Sequence, residues 1–403
     1  MRKKILTILL TAALAAGAIA GCSTPATPSS GSSSAAGSSA AAGSSAAAGS
    51  SAAASSGDSK TLAVAFPTGN IRIAINILAQ QLGYFKEEGV TVQEVNLQGP
   101  DALTAINGDG NLDILTVGFV PDLQAIGSGY DLKVVAGTAV EGGAIIAKKG
   151  NADKYKDASK KINIEEIKKA TKGLQRNEAA WVITRQYLLD NGVSADDLKK
   201  IEDESTGSLK YYQDQTAVAQ AVQKGEVEVA FLPHEYALLY ADSYGLEVIA
   251  KAGDLQPNYV CCREVTSTKR LSEKKDAFTA YEIARLRAFE YYKKGETDKE
   301  TRDKVVEIVT KWSGKEASYV DTYLYGGVTK YDTDPNTSGI VKYVQAAYNS
   351  GLLSKAGVDF SKYDIKQNID TDSYKTALET LVKRDSSNQF FAGLLDQYKK
   401  DNA

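Results

Sequence analysis

Thr61-Leu-Ala-Val-Ala-Phe66 is an unbroken, β-rich apolar run that stops at Pro67-Thr-Gly-Asn70; behind it Ile71, Ala74, Ile75, Leu78 and Leu82 recur at helical spacing up to Gly83. A short apolar run bounded by Pro and Gly reads as a buried strand, and the 3.6-residue recurrence after it reads as a helix packed on that strand. The pattern repeats outward along the chain. Residues 90–95 form the next strand, Gly99-Pro-Asp101 opens a helix through Ile106, residues 112–117 are a strand ended by Gly118, and Pro121 starts a helix that reaches Gly127. Strands alternating with helices predict an α/β fold on a mostly parallel sheet. Residues 179–189, 278–292, 305–312 and 340–352 continue the helical signal toward the carboxyl end.

The chain has 403 residues, more than one hydrophobic core usually organises, so about two packed units are expected. Its 47 basic and 50 acidic side chains lack the cationic excess that phosphate neutralisation requires, and no nucleic-acid partner is expected. One histidine and three cysteines leave little from which to build a zinc site, a Cys–His nucleophile pair or a disulfide framework. The body also carries no Gly-x-Ser-x-Gly elbow, phosphate loop or dinucleotide fingerprint. The expectation is a protein without metal, cofactor or catalytic centre.

The amino-terminal sixty residues have a separate logic. Arg2, Lys3 and Lys4 precede an apolar run, 5–18, that is shorter than the ~20 residues a membrane span needs. Residues 1–21 therefore read as a signal peptide. Ile19-Ala-Gly-Cys22 resembles the bacterial lipobox, which implies that the Cys22 sulfur is diacylated and becomes the mature amino terminus. Residues 23–59 are nearly all Ser, Ala, Gly, Thr and Pro, with Gly-Ser-Ser-Ala-Ala-Ala three times in succession over 37–54. Such a segment has no large apolar group to offset its ordering entropy, and it reads as a disordered tether with a flexible-coil span of roughly 30 Å. Lipid and tether would hold the body, 60–403, at the outer face of the bacterial cell membrane, with no contact to the bilayer beyond the amino-terminal lipid.

Within that body three stretches resemble the substrate-binding lipoproteins of ABC importers in the nitrate, sulfonate, taurine and thiamine-precursor class. They are Ala79-Gln-Gln-Leu-Gly-Tyr-Phe-Lys-Glu-Glu-Gly-Val-Thr-Val92, Gly99-Pro-Asp-Ala-Leu-Thr-Ala-Ile-Asn-Gly108, and Asp113-Ile-Leu-Thr-Val-Gly-Phe-Val-Pro-Asp-Leu-Gln-Ala125. A second match, Ala217 to Leu239, looks like the family's helix, Gly turn, strand and ligand loop in the second lobe. The resemblance implies the type II periplasmic-binding-protein fold: two α/β lobes joined by two crossing strands, with the ligand in the cleft between them. One crossing falls near 134–147, around Gly142-Gly143, and the other near 246–262. The expected division is 60–140 for the first part of lobe one, 141–248 for lobe two, and 249–403 for the completion of lobe one. The implied partners are a small-molecule ligand and the permease and ATPase of the importer, with the binding protein a monomer.

Ligands of open α/β sheets gather where strand carboxyl ends pass into helix amino termini. The loops so placed are Pro67–Asn70, with Phe66, Thr68, Gly69 and Asn70; 98–101, with Gly99; 118–120, with Gly118 and Phe119; 175–178, with Asn177; and 232–235, with His234. Backbone donors there suit an oxyanion, and Arg72 and Arg176 are candidate forks for a sulfonate, carboxylate or phosphate. Glu141 and Glu235 are candidates to hold an ammonium or a protonated ring nitrogen. A cleft lined by Phe66, Phe119 and Tyr259 would instead fit a flat aromatic ligand such as a thiamine-type pyrimidine.

Other features carry less. Asp109-Gly-Asn-Leu-Asp113 lacks the Gly and distal Glu of a calcium loop and reads as a turn, as does Asp332-Thr-Asp-Pro-Asn336 ahead of a helix. Cys261-Cys262 reads as two thiols, because adjacent cysteines rarely make a relaxed disulfide. A eukaryotic pyrimidine-precursor synthase shares the implied fold but depends on its own histidine and a cysteine-rich loop, so an enzyme is the weaker reading, as is a surface sensor or adhesin.

Overall fold

The computed structural model describes residues 60–107, 110–327, 329–353 and 357–403. The signal peptide, Cys22 and the tether lie outside the described residues, as does Asp109. The described strands are β1 (Thr61–Ala65), β2 (Thr91–Val95), β3 (Leu115–Gly118), β4 (Leu132–Val140), β5 (Gly143–Lys148), β6 (Lys172–Gln175), β7 (Leu209–Tyr212), β8 (Val229–Pro233), β9 (Leu246–Lys251), β10 (Val260–Ser267) and β11 (Lys330–Tyr331). They fall into two groups. In lobe one β1 pairs parallel with β2, and the Ala65 N–H donates to Ile114 C=O at 2.9 Å, linking that pair to a four-stranded sheet in the order β11-β4-β10-β3. Lobe two is one five-stranded sheet, β7-β6-β8-β5-β9.

The sheets are mixed rather than mostly parallel, which corrects the sequence expectation. The βα strands are parallel as expected, β6 with both β7 and β8. The antiparallel members arise from the crossings. β5 enters lobe two against β8 and β9, and β10 returns to lobe one between β3 and β4, antiparallel to both. Spacing within a segment cannot report this, because strand direction is set by where the chain re-enters a sheet.

The first expected unit forms closely. Ile71–Ile73 is a short 3₁₀ turn capped by the Asn70 side chain and continuous with the helix Ala74–Gln81, whose Ile75 and Leu78 are fully buried in the same hydrophobic core as Leu62 and Val64 of β1. The helix Phe119–Gly127 begins two residues before Pro121, because proline fits the first turn of a helix without breaking it. The long helix Lys275–Lys294 packs along Ala74–Gln81 and brings Arg285 into the interior of lobe one. There the Arg285 guanidinium donates to Asn76 Oδ1, Glu282 Oε2 and Gly137 C=O, each at 2.8 Å, and lies 3.2 Å from Glu264 Oε2. Glu264 also accepts from Asn76 at 2.8 Å and from Thr116 and Tyr281 at 3.2 Å. This buried network ties β3, β4 and β10 to two helices.

The two crossings are bonded to each other. Glu141 donates its N–H to Tyr259 C=O at 3.2 Å, and the Asn258 N–H donates to Glu141 Oε1 at 2.7 Å. Both residues have positive φ, 61° and 58°, a conformation uncommon outside glycine. The expected Gly142-Gly143 pair serves a different purpose. A methyl at Gly142 would stand 2.8 Å from Cys261 Sγ, and one at Gly143 would stand 2.8 Å from the Ala180 methyl and 2.9 Å from the Tyr259 hydroxyl. These glycines permit close approach of the crossing to its neighbours.

Candidate functional site

The carboxyl ends of β3, β6 and β8 turn toward one another, and the loops leaving them enclose a cavity of about 140 Å³. Lobe one contributes Arg72, Gly118, Phe119, Tyr323 and Tyr343; lobe two contributes Asn177, Glu178, Pro233 and Glu235; and the crossings contribute Gly142, Cys261 and Cys262. Three helices begin on this cavity: Phe119–Gly127, Ala179–Asp190 and His234–Tyr240. Helix amino termini carry N–H groups and the positive end of the dipole; the Ala180 N–H here is taken by Glu178 and the His234 N–H by Gly142 C=O, whereas Phe119–Gly127 begins without a side-chain cap.

Across the cavity the lobes are joined by an ion pair. Arg72 Nε donates to Glu235 Oε2 at 3.0 Å and its Nη2 donates to Oε1, and Tyr323 donates its hydroxyl to Oε2 at 3.1 Å. Asn70 orients this arginine by accepting its backbone N–H at 3.0 Å. Glu178 is the second carboxyl of the cavity. It caps the helix behind it by accepting the Ala180 N–H at 3.1 Å, and it accepts Gln215 Nε2 at 3.3 Å. Burial pushes its carboxyl up to about 7 against the opposing effects of the Ala180 N–H and the Arg72 charge. Asn177, at φ 69°, reaches Gln124 of lobe one at 3.4 Å.

No protein-family model and no curated protein sequence matches the chain. Solved structures do. The ligand-binding component of an ABC-type import system from Staphylococcus aureus, solved with zinc bound, is similar at TM-score 0.58 and 16% identity, over 79% of this chain and 99% of that one. The putative sulfonate-binding protein SsuA of Methylobacillus flagellatus KT gives 0.58 and 15%, over 80% and 94%. The nitrate-binding protein NrtA of Synechocystis PCC 6803 gives 0.57 and 15%, over 80% and 89%. The chain has the type II periplasmic-binding-protein fold. At such identities the likeness is one of backbone, so the ligand has to be argued from this chain's own side chains.

In the type II frame the residues singled out from sequence separate into three groups. Arg72, Gly118, Phe119, Asn177 and Glu235 line the cavity. A second group supports the wall from behind. Asn70 caps the turn that carries Arg72; His234, buried, donates its backbone N–H to Gly142 C=O at 2.8 Å; and Tyr259 stacks on Tyr343 at 6.4 Å. Phe66, Thr68, Gly69, Gly99, Glu141 and Arg176 form the third group and stand away from the cavity.

Each of the third group has a local reason. Phe66 is 3% exposed and packs edge-on against Trp312 at 6.2 Å, because the end of β1 points its ring into the lobe-one core. Thr68 donates its N–H to Asn96, Gly69 adopts positive φ in the turn after β1, and Gly99 adopts positive φ as the first residue of the helix Gly99–Ile106. Glu141 turns out of the cleft toward Asn258 and Lys330. Arg176 lies on the surface of lobe two, pairing with Glu204 at 2.8 Å and stacking 4.0 Å over Tyr211.

Glu178, Tyr323, Tyr343 and the cysteine pair line the cavity without having been singled out for contact. Glu178 was legible as the residue before a helix in a loop already suspected. Tyr323 and Tyr343 come from carboxyl-terminal helices whose docking on lobe one no local pattern announces. Among the described residues no three His, Cys, Asp or Glu side chains gather as a metal site, and no helix is long and apolar enough to cross a membrane.

Proposed function

We propose that the chain is the extracytoplasmic solute-binding component of an ABC importer, and that it captures a small oxyanion-bearing solute, of the sulfonate, taurine or nitrate kind, between its lobes. The observation that carries this reading is that Arg72 and the uncapped amino terminus of Phe119–Gly127 meet on one cavity between the lobes. The oxyanion would face the first turn of Phe119–Gly127 and the Arg72 Nη1 edge, since Nε and Nη2 already serve Glu235. Glu178 and Glu235 on the lobe-two side favour a ligand whose other end is cationic, which a taurine-like zwitterion satisfies. The cavity volume matches a solute of about benzene size. Of the three aromatic residues that would have formed a pyrimidine slot, Phe119 alone faces the cavity.

Function would follow from closure. Contacts from both lobes make the closed form bind more tightly than the open one, so ligand raises its population and the permease reads that form. The site is read as binding without turnover. Titration calorimetry and small-angle scattering with taurine, ethanesulfonate and nitrate test this: saturable binding with compaction and no chemical change of the ligand is expected. Absence of binding by all three, or turnover of any, would overturn the reading.

The Glu178 carboxyl makes the sign of a pH effect definite. Its raised value, about 7, leaves it largely neutral at pH 6 and charged at pH 8. For nitrate or ethanesulfonate, whose charge is constant over that range, affinity should fall by about tenfold as pH rises from 6 to 8, and Glu178→Gln should flatten the profile. Taurine, with its ammonium, should show a shallower dependence. An unchanged slope in Glu178→Gln would remove Glu178 from the ligand's surroundings.

Anchoring through Cys22 belongs to the same proposal. Cys22→Ala should release the exported protein from membranes, because a Ser/Ala/Gly tether without acyl chains has no affinity for a bilayer. A variant that stays with membranes after a high-salt wash would refute the lipid anchor.

A further inference from the structure

Cys261 and Cys262 are adjacent on β10, and in a regular strand their side chains would point to opposite faces. Here they do not. The pairing of β10 with β4 shifts register between Val260 and Cys262 and again between Cys262 and Arg263, and across this irregularity both residues line the cavity with their sulfurs 3.7 Å apart. Both are free thiols, Cys261 partly exposed and Cys262 buried. The backbone leaves room for the outer sulfur only because residue 142 is glycine. The Cys262 S–H donates to Cys261 Sγ, and with the nearby Arg72 charge it holds the Cys261 thiol below its ordinary value, while Cys262 is pushed up and keeps its proton. One sulfur is therefore the accessible nucleophile and the other stands ready behind it.

We propose that Cys261 and Cys262 form a reversible oxidation site in the cavity wall, at which a hydroperoxide converts the dithiol to a vicinal disulfide. The Cys261 thiolate attacks the peroxide's terminal oxygen; an S–O bond forms, the O–O bond breaks, and the alkoxide or hydroxide leaves and takes up a proton. The Cys262 sulfur then attacks the Cys261 sulfur; an S–S bond forms, the S–O bond breaks, and hydroxide leaves with the Cys262 proton as water. Two thiols lose two electrons, and the peroxide gains them in becoming water and an alcohol, or two waters. Neighbouring Cα atoms lie about 3.8 Å apart, closer than the ~4.4–6.8 Å of relaxed disulfides, so the bridge is strained and readily reduced. This site stands on the thiol geometry and does not depend on what the cavity binds.

The test uses the full chain and hydrogen peroxide, followed by thiol alkylation and trypsin. Both cysteines fall in one tryptic peptide, 252–263, separate from Cys22. Stoichiometric peroxide should remove two hydrogens from that peptide and abolish alkylation at both positions, and dithiothreitol should restore both. In Cys262→Ser the reaction should stop at a sulfenic acid on Cys261, trapped by dimedone; in Cys261→Ser, Cys262 should remain reduced at the same dose. A wild-type peptide still alkylated at both cysteines under peroxide that fully oxidises glutathione, or one that passes directly to sulfinic acid, would overturn the proposal without bearing on ligand binding.

Discussion

Arg72→Ala should lower affinity for ethanesulfonate or taurine by about 30- to 1000-fold, a cost of about 2–4 kcal/mol, whereas Arg176→Ala should stay within about threefold of wild type. The contrast rests on placement. Arg72 lines the cavity, is held by its Asn70-capped turn, and meets Glu235 of the opposite lobe, so its loss removes a charge-assisted donor and also leaves Glu235 with Tyr323 as its remaining partner. Its side chain retains 30% exposure, which places the expectation toward the lower half of that range. Arg176 is 58% exposed and engaged with Glu204 and Tyr211, and pairs of that kind contribute little. Lysine at 72 should recover only part of the affinity, because it cannot present two parallel N–H groups to Glu235 while reaching a ligand. Glu235→Gln is the companion variant: it keeps the shape of the contact while weakening the inter-lobe latch. Calorimetric titration of the four variants beside wild type, with thermal melts to verify folding, decides the matter. Arg72→Ala binding within threefold of wild type would sink the anion site.

Arg285→Leu should destabilise the protein by about 3–5 kcal/mol, the cost typical of removing one partner from a buried ion pair. Arg285, Glu264 and Glu282 are all within 1% of complete burial, and among the described residues the Arg285 guanidinium is the cation paired with both carboxyl groups. Without it both carboxyls must be neutralised or left as uncompensated buried charge. The transition should fall by roughly 8 °C in a scanning melt. Burial already pushes Glu282 up to about 8, with Arg285 acting against that rise. A folded-state value above the unfolded one means that the folded form binds the extra proton, so its stability declines as pH rises from the unfolded value toward about 8. The deficit of Arg285→Leu should therefore be smaller at pH 5 than at pH 8. A variant that melts within 2 °C of wild type at both pH values would show that the network is not a stabilising element. The exposed Lys299–Asp303 pair, four residues apart on a helix, supplies the control, since breaking it should cost about 0.5 kcal/mol or less.

The βα units were legible because their evidence is local. The 71–82 spacing, the Pro67-Thr-Gly-Asn70 break and the Gly-terminated strand before Phe119 each lie within a dozen residues, and each produced the element expected of it. The same locality explains the error in the helix start at Pro121, since proline marks a first turn without saying which of its positions it occupies. Candidate ligand loops were legible for a related reason: the carboxyl end of a strand is a property of chain direction. Arg72, Gly118, Phe119, Asn177 and Glu235 reached the cavity on that logic.

Long-range information was missing from the same logic. Phe66 and Phe119 both follow strand ends, yet one ring packs on Trp312 in the core and the other lines the cavity; the difference lies in how the far carboxyl-terminal helices dock. Arg72 and Glu235 were proposed separately, for opposite charges on a ligand, and they meet each other across 163 residues of chain. The two cysteines line one cavity because β10 slips against β4, and register belongs to a pair of strands rather than to either one. By itself the sequence determined the elements, their order and the ends of strands at which a ligand can sit, because these depend on side-chain periodicity and backbone direction. Tertiary structure alone decided which side chains face the cleft and which partners satisfy them, because burial and charge pairing are settled only when residues far apart in the chain compete for the same space.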